Sequence, residues 1–364
     1  MQPRILIVSA QGSRSTSAYT YRLMSLARLL EERNFHCDYF FMEDHAPLDT
    51  ETTRSIFMPF WVKQLRNYDL IYCGASEAAQ GLFFMKPFLK GTILMDMHGD
   101  VVSQSILQKE LATGGKKHTP YLRVLILYKM SMMTCDYFIT QSNYQMEDLI
   151  KEGVKPANVS VVRNGVDLDL FRFMEMPRNP EFQLGYIGAF QTWQGTEYLF
   201  EAIGLMKNDR GKILLIGFDD SESHWKNAFK QAYGERVEVF NKMQRSELVE
   251  KMNSTCVLMS PRPPHIASRA AFPTKFAEYA SLGRPVLVTD VDETADYVRK
   301  YNCGFVCKAA SKDLANAMDA AVETSMETLA QMGRNARSMA EKNFSWDKIG
   351  DDYAELVRKL LKNK

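Results

Sequence analysis

The sequence predicts an α/β fold with two domains, each built on a doubly wound parallel sheet. Two segments support this prediction, because residues 4–33 and 184–206 each combine a buried strand, a glycine-containing loop and a helix. Further short apolar runs alternate with helical patterns along the chain, which is typical of a parallel sheet. A length of 364 residues suits two domains of ordinary size. In such domains, ligands bind at the carboxyl ends of the strands.

The composition limits the classes of function. Hydrophobic residues make up 46% of the chain and charged residues 24%, as in a soluble globular protein, and the net charge of +1 offers no global field for nucleic acid. The six cysteines lie mostly in apolar runs without a C-x-x-C pair, so we expect buried thiols rather than zinc ligands or disulfides. The apolar N-terminal run is too short for a secretory signal, and no stretch predicts a transmembrane helix. We therefore expect a cytoplasmic protein.

The first domain is expected to cover residues 1–168. Its predicted strands are residues 4–9, 37–42, 69–73, 92–97, 136–142 and 159–162, and its predicted helices include residues 19–33 and 54–66. Gly12, in the first loop, permits close approach of a backbone, and Arg14 is either an anion ligand or a solvated loop residue. His98 follows the fourth strand, where α/β enzymes place chemistry, although a hydrogen-bonded structural histidine is equally expected there.

Residues 108–134 differ from the rest of this domain. The flexible basic patch Gly114–His118 precedes the apolar stretch Tyr121–Met133, which carries Arg123 and Lys129. Basic residues beside exposed apolar ones can rest on an anionic bilayer, which would give peripheral membrane contact. The alternative is a core helix that follows a solvated loop.

The second domain is expected to cover residues 180–345, after a proline-containing linker. Its predicted strands are residues 184–188, 212–217, 237–240, 256–261, 286–288 and 304–306, and its predicted helices are residues 196–206, 246–252, 273–282, 292–300 and 311–340. Thr196 is expected to cap the first of these helices. Gly188 precedes that helix, in the strand–glycine–helix order that can receive a phosphate.

Residues 261–290 carry the strongest chemical signal. A turn-rich loop with three prolines and two arginines leads into a short helix, with Pro273 expected at its first position and Gly283 just past its end. Free N–H groups at the helix start can hold a phosphate, and Lys275 adds a charge. Glu278 lies one turn further on, and a carboxylate can accept hydrogen bonds from two neighbouring hydroxyls. This pattern predicts either a nucleotide site or a capped helix with a Lys–Glu surface pair.

The segment FPTKFAEYASLGRPV, residues 272–286, resembles the nucleotide-sugar segment of the GT-B glycosyltransferases of family 4, a large group of retaining glycosyltransferases. DMHGD, NGVD, YIGAFQTWQG and FSW resemble other segments of that family and occur in the family's order. The resemblance implies a GT-B fold, in which two Rossmann-like domains face one cleft. It also implies that a last helix, about residues 346–364, packs back on the first domain.

The resemblance also implies roles for individual residues. Two residues are expected to be catalytic. His98 would contact the transferred sugar, and Glu278 would hold the ribose hydroxyls. The residues expected to bind or border the donor are Gly12, Ser13, Arg14, Gly188, Ala189, Gln194, Met243, Arg262, Arg269, Thr274 and Lys275. Among these, the backbone around Thr274 and Lys275 would face the phosphates, and Met243 lies in the loop expected near the base.

The family's usual Gly-Gly pair is Gly12-Ser13 here, and three further positions lack a charged side chain that the family pattern has. Ala270 stands where the family often has a second Glu, and Ala189 and Gln194 stand where many members have an Arg and a Lys. Backbone amides could still hold the diphosphate, with charge from Arg262, Arg269 or Lys275. The proposal that these three residues replace the missing Arg and Lys of the family is a hypothesis.

The implied function is retaining transfer of a sugar from a nucleotide-diphosphate sugar to a glycan, lipid-linked or small-molecule acceptor, in polysaccharide or glycoconjugate biosynthesis. No metal or other cofactor is expected, because amides and cations can stabilise the diphosphate leaving group. Two alternatives are a GT-B sugar-nucleotide epimerase and a non-catalytic relative that binds a nucleotide or a partner. Ala270, Ala189 and Gln194 favour the non-catalytic relative. Acceptor-dependent release of nucleoside diphosphate would distinguish the three.

Overall fold

The computed structural model describes residues 3–12, 18–42, 63–97, 102, 106, 122–176, 181–219 and 222–362. The chain divides into two compact units, one formed by Met1–Arg163 with Trp346–Lys364 and the other by Asn164–Ser345. The described residues of each unit contain a parallel sheet of six strands. The predicted α/β fold with two doubly wound sheets is therefore confirmed.

The first unit has its strands in the order β2-β1-β3-β4-β5-β6. These strands are β1 Arg4–Ser9, β2 His36–Phe41, β3 Leu70–Cys73, β4 Thr92–Met97, β5 Tyr137–Thr140 and β6 Val159–Val161. The described helices between them are α1 Ala18–Glu31, α2 Ser76–Gln80, α3 Leu122–Thr134 and α4 Asn143–Lys151. Apolar residues of strands and helices form the core, because runs such as β3 are buried on both faces of the sheet.

A buried ion pair crosses this unit. The Arg22 guanidinium donates to both carboxylate oxygens of Asp96, at 2.8 and 3.1 Å, and to the carbonyl oxygen of Val162 at 2.7 Å. The Tyr72 hydroxyl also donates to Asp96, and burial raises the pKa of Tyr72 well above its ordinary value. Because these residues belong to α1, β4, β3 and the end of β6, one polar network joins four parts of the unit.

The second unit has its strands in the order β12-β11-β10-β7-β8-β9. These strands are β7 Gln183–Ile187, β8 Lys212–Phe218, β9 Val237–Asn241, β10 Val257–Ser260, β11 Val286–Thr289 and β12 Gly304–Cys307. The helices are α5 Thr196–Leu205, α6 Ser223–Tyr233, α7 Arg245–Asn253, α8 Ile266–Ala270, α9 Thr274–Ser281, α10 Thr294–Tyr301, α11 Ser311–Glu323 and α12 Met326–Asn343. Since β7 lies between β8 and β10, the strand order reverses there, which is where open α/β sheets bind ligands.

The last helix, α13, covers Trp346–Lys362 and belongs to the first unit, although the whole second unit precedes it in sequence. Its buried residues Ile349, Tyr353 and Val357 share a hydrophobic core cluster with Leu23 and Leu26 of α1. Helix α13 therefore covers the apolar side of α1.

Several predictions about helix ends were wrong. Residues 311–340 form two helices instead of one, because the chain turns at Thr324 and Ser325 starts α12 by accepting a hydrogen bond from a backbone N–H. Thr196 is the first residue of α5 and not its cap, since Gly195 holds the cap position with φ +82°. Pro273 lies just before α9 instead of at its first position.

Some helices were not predicted, and some predictions lie partly or wholly outside the described residues. The loop predicted ahead of α9 contains the short helix α8, and α6 was not predicted at all. Most of the helix predicted at 54–66 and the basic patch Gly114–His118 lie outside the described residues. All six cysteines are free, and all except the partly buried Cys307 are buried, which confirms the expectation of buried thiols. Within the described ranges, no helix is long and apolar enough to cross a membrane.

Candidate functional site

The carboxyl ends of β7 and β10 lie side by side at the point where the strand order of the second sheet reverses. The loops that leave these strands touch at Gly195 and Pro261. A Cβ atom at Gly195 would lie 1.6 Å from the Pro261 carbonyl oxygen, and Gly195 has a left-handed backbone with φ +82°. Only glycine therefore permits this close approach of the two loops.

Helix α9 begins beside the loop that leaves β7. A Cβ atom at Gly188 would lie 1.8 Å from the Lys275 amine, so this amine rests directly against the Gly188 backbone. The Tyr279 hydroxyl accepts a hydrogen bond from the Ile187 N–H at 3.2 Å and donates one to the Ile187 carbonyl oxygen at 3.0 Å. Tyr279 thus fixes the helix against the end of β7, with the start of α9 aimed at the Gly188 loop.

Lys275 places a positively charged amine at the start of α9. Burial, together with the nearby charge of Arg262, lowers the Lys275 pKa to about 8, although the charges of Glu278 and Glu222 act in the opposite direction. The amine lies 5.7 Å from the ring centroid of Tyr186, and in the described part of the chain no carboxylate forms an ion pair with it. A partly buried amine beside the first N–H groups of a helix is suited to binding an anion.

Glu278 lies one turn further along α9 and pairs with a residue of another helix. An Arg245 guanidinium nitrogen lies 3.0 Å from its Oε1, and the Glu278 side chain is 19% exposed. Burial raises the Glu278 pKa, while the charges of Arg245 and Lys275 lower it. The Arg245 guanidinium also lies 5.4 Å from the ring centroid of Phe171. Arg245 was not predicted as a site residue, because a first helical residue after a loop carries no specific signal.

Arg262, which was expected to supply charge, is held by other residues of the unit. Its side chain is buried, donates to Asp292 at 2.9 Å and donates to the Ala271 carbonyl oxygen at 2.7 Å. Its charge is therefore matched inside the fold. Arg269 is exposed at the end of α8, and the Ala270 methyl group is buried.

Glu222 stabilises the loop that leaves β7. It was not predicted as a site residue. The buried Glu222 carboxylate accepts hydrogen bonds from the Phe190 N–H at 2.9 Å and the Asp219 N–H at 3.3 Å. The Ala189 carbonyl oxygen accepts a hydrogen bond from the Tyr186 hydroxyl at 2.8 Å. These bonds hold the loop whose Gly188 backbone lies against the Lys275 amine.

Three further expected residues lie in the second unit. Thr274 is the first residue of α9 and is partly buried. Gln194 belongs to the 3-10 turn Thr192–Gln194 that precedes α5. Met243 is partly buried and packs on the core cluster that contains Phe276.

The structure therefore brings Gly188, Ala189, Thr274, Lys275 and Glu278 into one region of the second unit. Of the residues expected in the first unit, Gly12 is buried just after β1. Ser13, Arg14 and His98 lie outside the described residues. No group of His, Cys, Asp or Glu that could hold a metal ion occurs within the described ranges.

Residues 170–339, which include all the strands of the second sheet, match the family model "Glycosyl transferases group 1". All the matched residues lie within the second unit. No curated protein matches the sequence.

Solved structures resemble the chain along nearly its whole length. Sucrose-phosphate synthase from Thermosynechococcus elongatus matches with a TM-score of 0.78 at 19% identity, covering 100% of both chains. HepE from Anabaena in complex with UDP-glucose matches with a TM-score of 0.71 at 17% identity, covering 98% of this chain and 99% of that one. WaaG, a glycosyltransferase involved in lipopolysaccharide biosynthesis, matches with a TM-score of 0.64 at 16% identity, covering 97% and 99%. These likenesses confirm the expected GT-B fold.

Proposed function

We propose that the protein is a retaining glycosyltransferase of family 4 that transfers a sugar from a nucleotide-diphosphate sugar to an acceptor. One observation carries the proposal: Lys275 and Glu278 lie one turn apart at the start of α9, where the strand order of the sheet reverses. The glycosyl transferases group 1 domain over residues 170–339 supports the same conclusion.

In this proposal the donor lies along the first turn of α9. The diphosphate meets the N–H groups at Thr274 and Lys275, the Lys275 amine and the backbone at Gly188, and it supplies the anion that Lys275 lacks. The Glu278 carboxylate accepts hydrogen bonds from the ribose hydroxyls. Positive charge beside the diphosphate stabilises the negative charge that develops on the leaving group as the glycosidic bond breaks. The proposal assigns no step to a metal or another cofactor.

Arg262 and Arg269 have different roles in this proposal. Because Arg262 is already paired with Asp292, we assign it to holding the loop after β10, and we assign the charge on the diphosphate chiefly to Lys275. The single variants Arg262→Ala, Arg269→Ala and Lys275→Ala, compared by donor affinity, test this division. We expect the largest loss in Lys275→Ala, and unchanged affinity in all three would refute the assignment.

The remaining roles follow from the family resemblance. His98 contacts the transferred sugar, the loop of Gly12, Ser13 and Arg14 borders the acceptor, and Met243 lies near the base. A uridine nucleotide is the first donor to test, because solved structures of HepE contain UDP and UDP-glucose. A glycan or lipid-linked acceptor in polysaccharide or glycoconjugate biosynthesis is the corresponding proposal for the second substrate, since WaaG is involved in lipopolysaccharide biosynthesis.

The decisive experiment measures release of nucleoside diphosphate from donor sugars with and without a panel of glycan and lipid-linked acceptors. A transferase releases nucleoside diphosphate only with an acceptor, and Glu278→Ala should lose this activity. Conversion of the donor without any acceptor would instead indicate an epimerase. Nucleotide binding without turnover would indicate a non-catalytic relative, which the neutral side chains of Ala189 and Gln194 favour.

A further inference from the structure

Helix α3 in the first unit exposes apolar side chains and buries polar ones. Leu122 is 72% exposed, Ile126 51% and Met133 68%, whereas the side chains buried in this helix include Ser131 and Thr134. Residues four and seven positions apart lie on the same side of a helix. A helix on the surface of a globular protein normally buries its apolar side chains and exposes its polar ones. The exposed apolar side of α3 therefore indicates a binding surface for an apolar partner.

A second exposed apolar segment lies beside α3. Phe84 is 80% exposed and Phe88 is 55% exposed, and helix α2, which precedes them, packs on α3. Lys86 lies between these two residues in sequence, and its amine donates to the carbonyl oxygen of Met133 at the end of α3, at 3.3 Å. We call the combined surface the apolar face; it consists of Phe84, Phe88, Leu122, Leu125, Ile126 and Met133.

The charge around the apolar face is positive. Residues 83–90 and 122–133 contain Lys86, Lys90, Arg123 and Lys129 and no acidic residue. Asp136 pairs with Lys86 at 2.8 Å and Glu152 lies 3.7 Å from Lys129, so two of these cations have nearby carboxylates. Lys90 and Arg123 are exposed and take part in no described ion pair.

We propose that the apolar face binds the surface of an anionic lipid bilayer. Leucine, isoleucine and phenylalanine side chains enter the interfacial region of a bilayer, while lysine and arginine extend their charged ends to the lipid phosphates. The 13 described residues of helix α3 are too few to span a bilayer, so the contact that we propose is peripheral. Projecting aliphatic and aromatic side chains match the apolar character of an anionic bilayer, and the exposed cations Lys90 and Arg123 match its charge.

This inference goes beyond the proposed glycosyl transfer, because it concerns a surface of the first unit and needs no nucleotide. It would bring the protein to a membrane, where lipid-linked acceptors lie. Vesicle binding is measured without donor or acceptor, so its failure leaves the proposed function untouched, and failure of the proposed function leaves the vesicle result standing.

The test is sedimentation of the full chain with vesicles of phosphatidylcholine alone and of phosphatidylcholine mixed with phosphatidylglycerol. We expect binding to the anionic vesicles that weakens with added salt, and at least about tenfold weaker binding in the double variant Leu122→Ser/Ile126→Ser. The matched control is Leu205→Ser/Ile266→Ser, which removes two apolar side chains of similar exposure from the second unit, 52% and 49%, and should bind like the wild type. Both substituted side chains of α3 are exposed, so thermal unfolding of the double variant should match that of the wild type.

A second variant separates charge from apolar contact. Lys90→Glu/Arg123→Glu should weaken binding to the anionic vesicles and leave the weak binding to phosphatidylcholine unchanged. Equal binding of wild type and Leu122→Ser/Ile126→Ser would refute the proposal, as would a wild type that sediments with neither kind of vesicle. Concentration-dependent dimerisation that disappears in Leu122→Ser/Ile126→Ser would assign the apolar face to a second copy of this chain and would also refute it.

Discussion

Replacing Lys275 by methionine should stabilise the ligand-free protein and remove its affinity for a nucleoside diphosphate. Burial lowers the Lys275 pKa from 10.5 to about 8. This lowering corresponds to about 3 kcal/mol of unfavourable free energy for the charged amine in the folded state. Methionine fills a similar volume without a charge, so we expect the free energy of unfolding to rise by about 2–3 kcal/mol near neutral pH.

The stability difference between Lys275→Met and the wild type should change with pH in a defined direction. Below about pH 8 the folded and unfolded chains both carry the proton on Lys275, and the full penalty is present. Between about pH 8 and about pH 10.5 the folded protein has released a proton that the unfolded chain still binds, so the stability of the wild type rises with pH. The advantage of Lys275→Met should therefore be complete near pH 7, shrink through this range and vanish above it.

Urea unfolding of both proteins between about pH 7 and about pH 10 measures the difference, since the midpoint shifts with stability. Lys312→Met is the control, because Lys312 is exposed and its substitution should change stability little at any pH. An advantage of Lys275→Met that is absent, or that is the same at every pH, would refute the reasoning about the buried charge. A stabilised variant that still binds UDP with wild-type affinity would refute the assignment of Lys275 to the diphosphate.

Three further substitutions test separate contacts. Arg245→Ala removes a charge that lowers the Glu278 pKa, so calorimetry should show nucleotide affinity falling about tenfold at acid pH and recovering as the pH rises, with partial rescue in Arg245→Lys. Asp96→Asn leaves the buried Arg22 charge without its partner, so urea unfolding should show a loss of about 3–5 kcal/mol. Gly195→Ala places a methyl group on a backbone carbonyl at a left-handed φ, and we expect a loss of about 2 kcal/mol or more together with weaker nucleotide binding.

Each of these predictions has a contrary outcome. The same pH dependence in Arg245→Ala and wild type would mean that Arg245 does not control the charge of Glu278. Wild-type stability of Asp96→Asn would mean that water or another group compensates the Arg22 charge. Unchanged stability of Gly195→Ala would mean that the loops after β7 and β10 separate at little cost.

The strands were predictable because their signal is local. An apolar run such as Val286–Val288 must be buried, and it forms a strand within one residue of the predicted bounds. The end of α9 was predictable for the same reason, since Gly283 takes the left-handed conformation expected after a helix, with φ +73°. Helix ends that depend on a neighbouring residue, such as the start of α5 at Gly195, were not.

The site was predictable only in part, because its contacts join segments far apart in sequence. Lys275 and Glu278 were found from their positions at a helix start. Their partners could not be predicted, because they are distant in sequence. The amine lies against Gly188, and the carboxylate pairs with Arg245, which is 33 residues earlier in the chain. The alternative of a Lys–Glu surface pair is therefore wrong: Glu278 pairs with Arg245, and both α9 side chains are at least partly buried.

The proposed donor site requires that α9 bind a nucleotide. A thermal-shift screen of wild type and Glu278→Ala against UDP, GDP, ADP and their common sugars measures this, because a ligand that binds only the folded state raises the unfolding temperature as its concentration rises. We expect one nucleotide class to stabilise the wild type clearly and to lose most of that effect in Glu278→Ala. If no nucleotide stabilises the wild type, or if the stabilisation is the same in the variant, the proposed donor site is wrong.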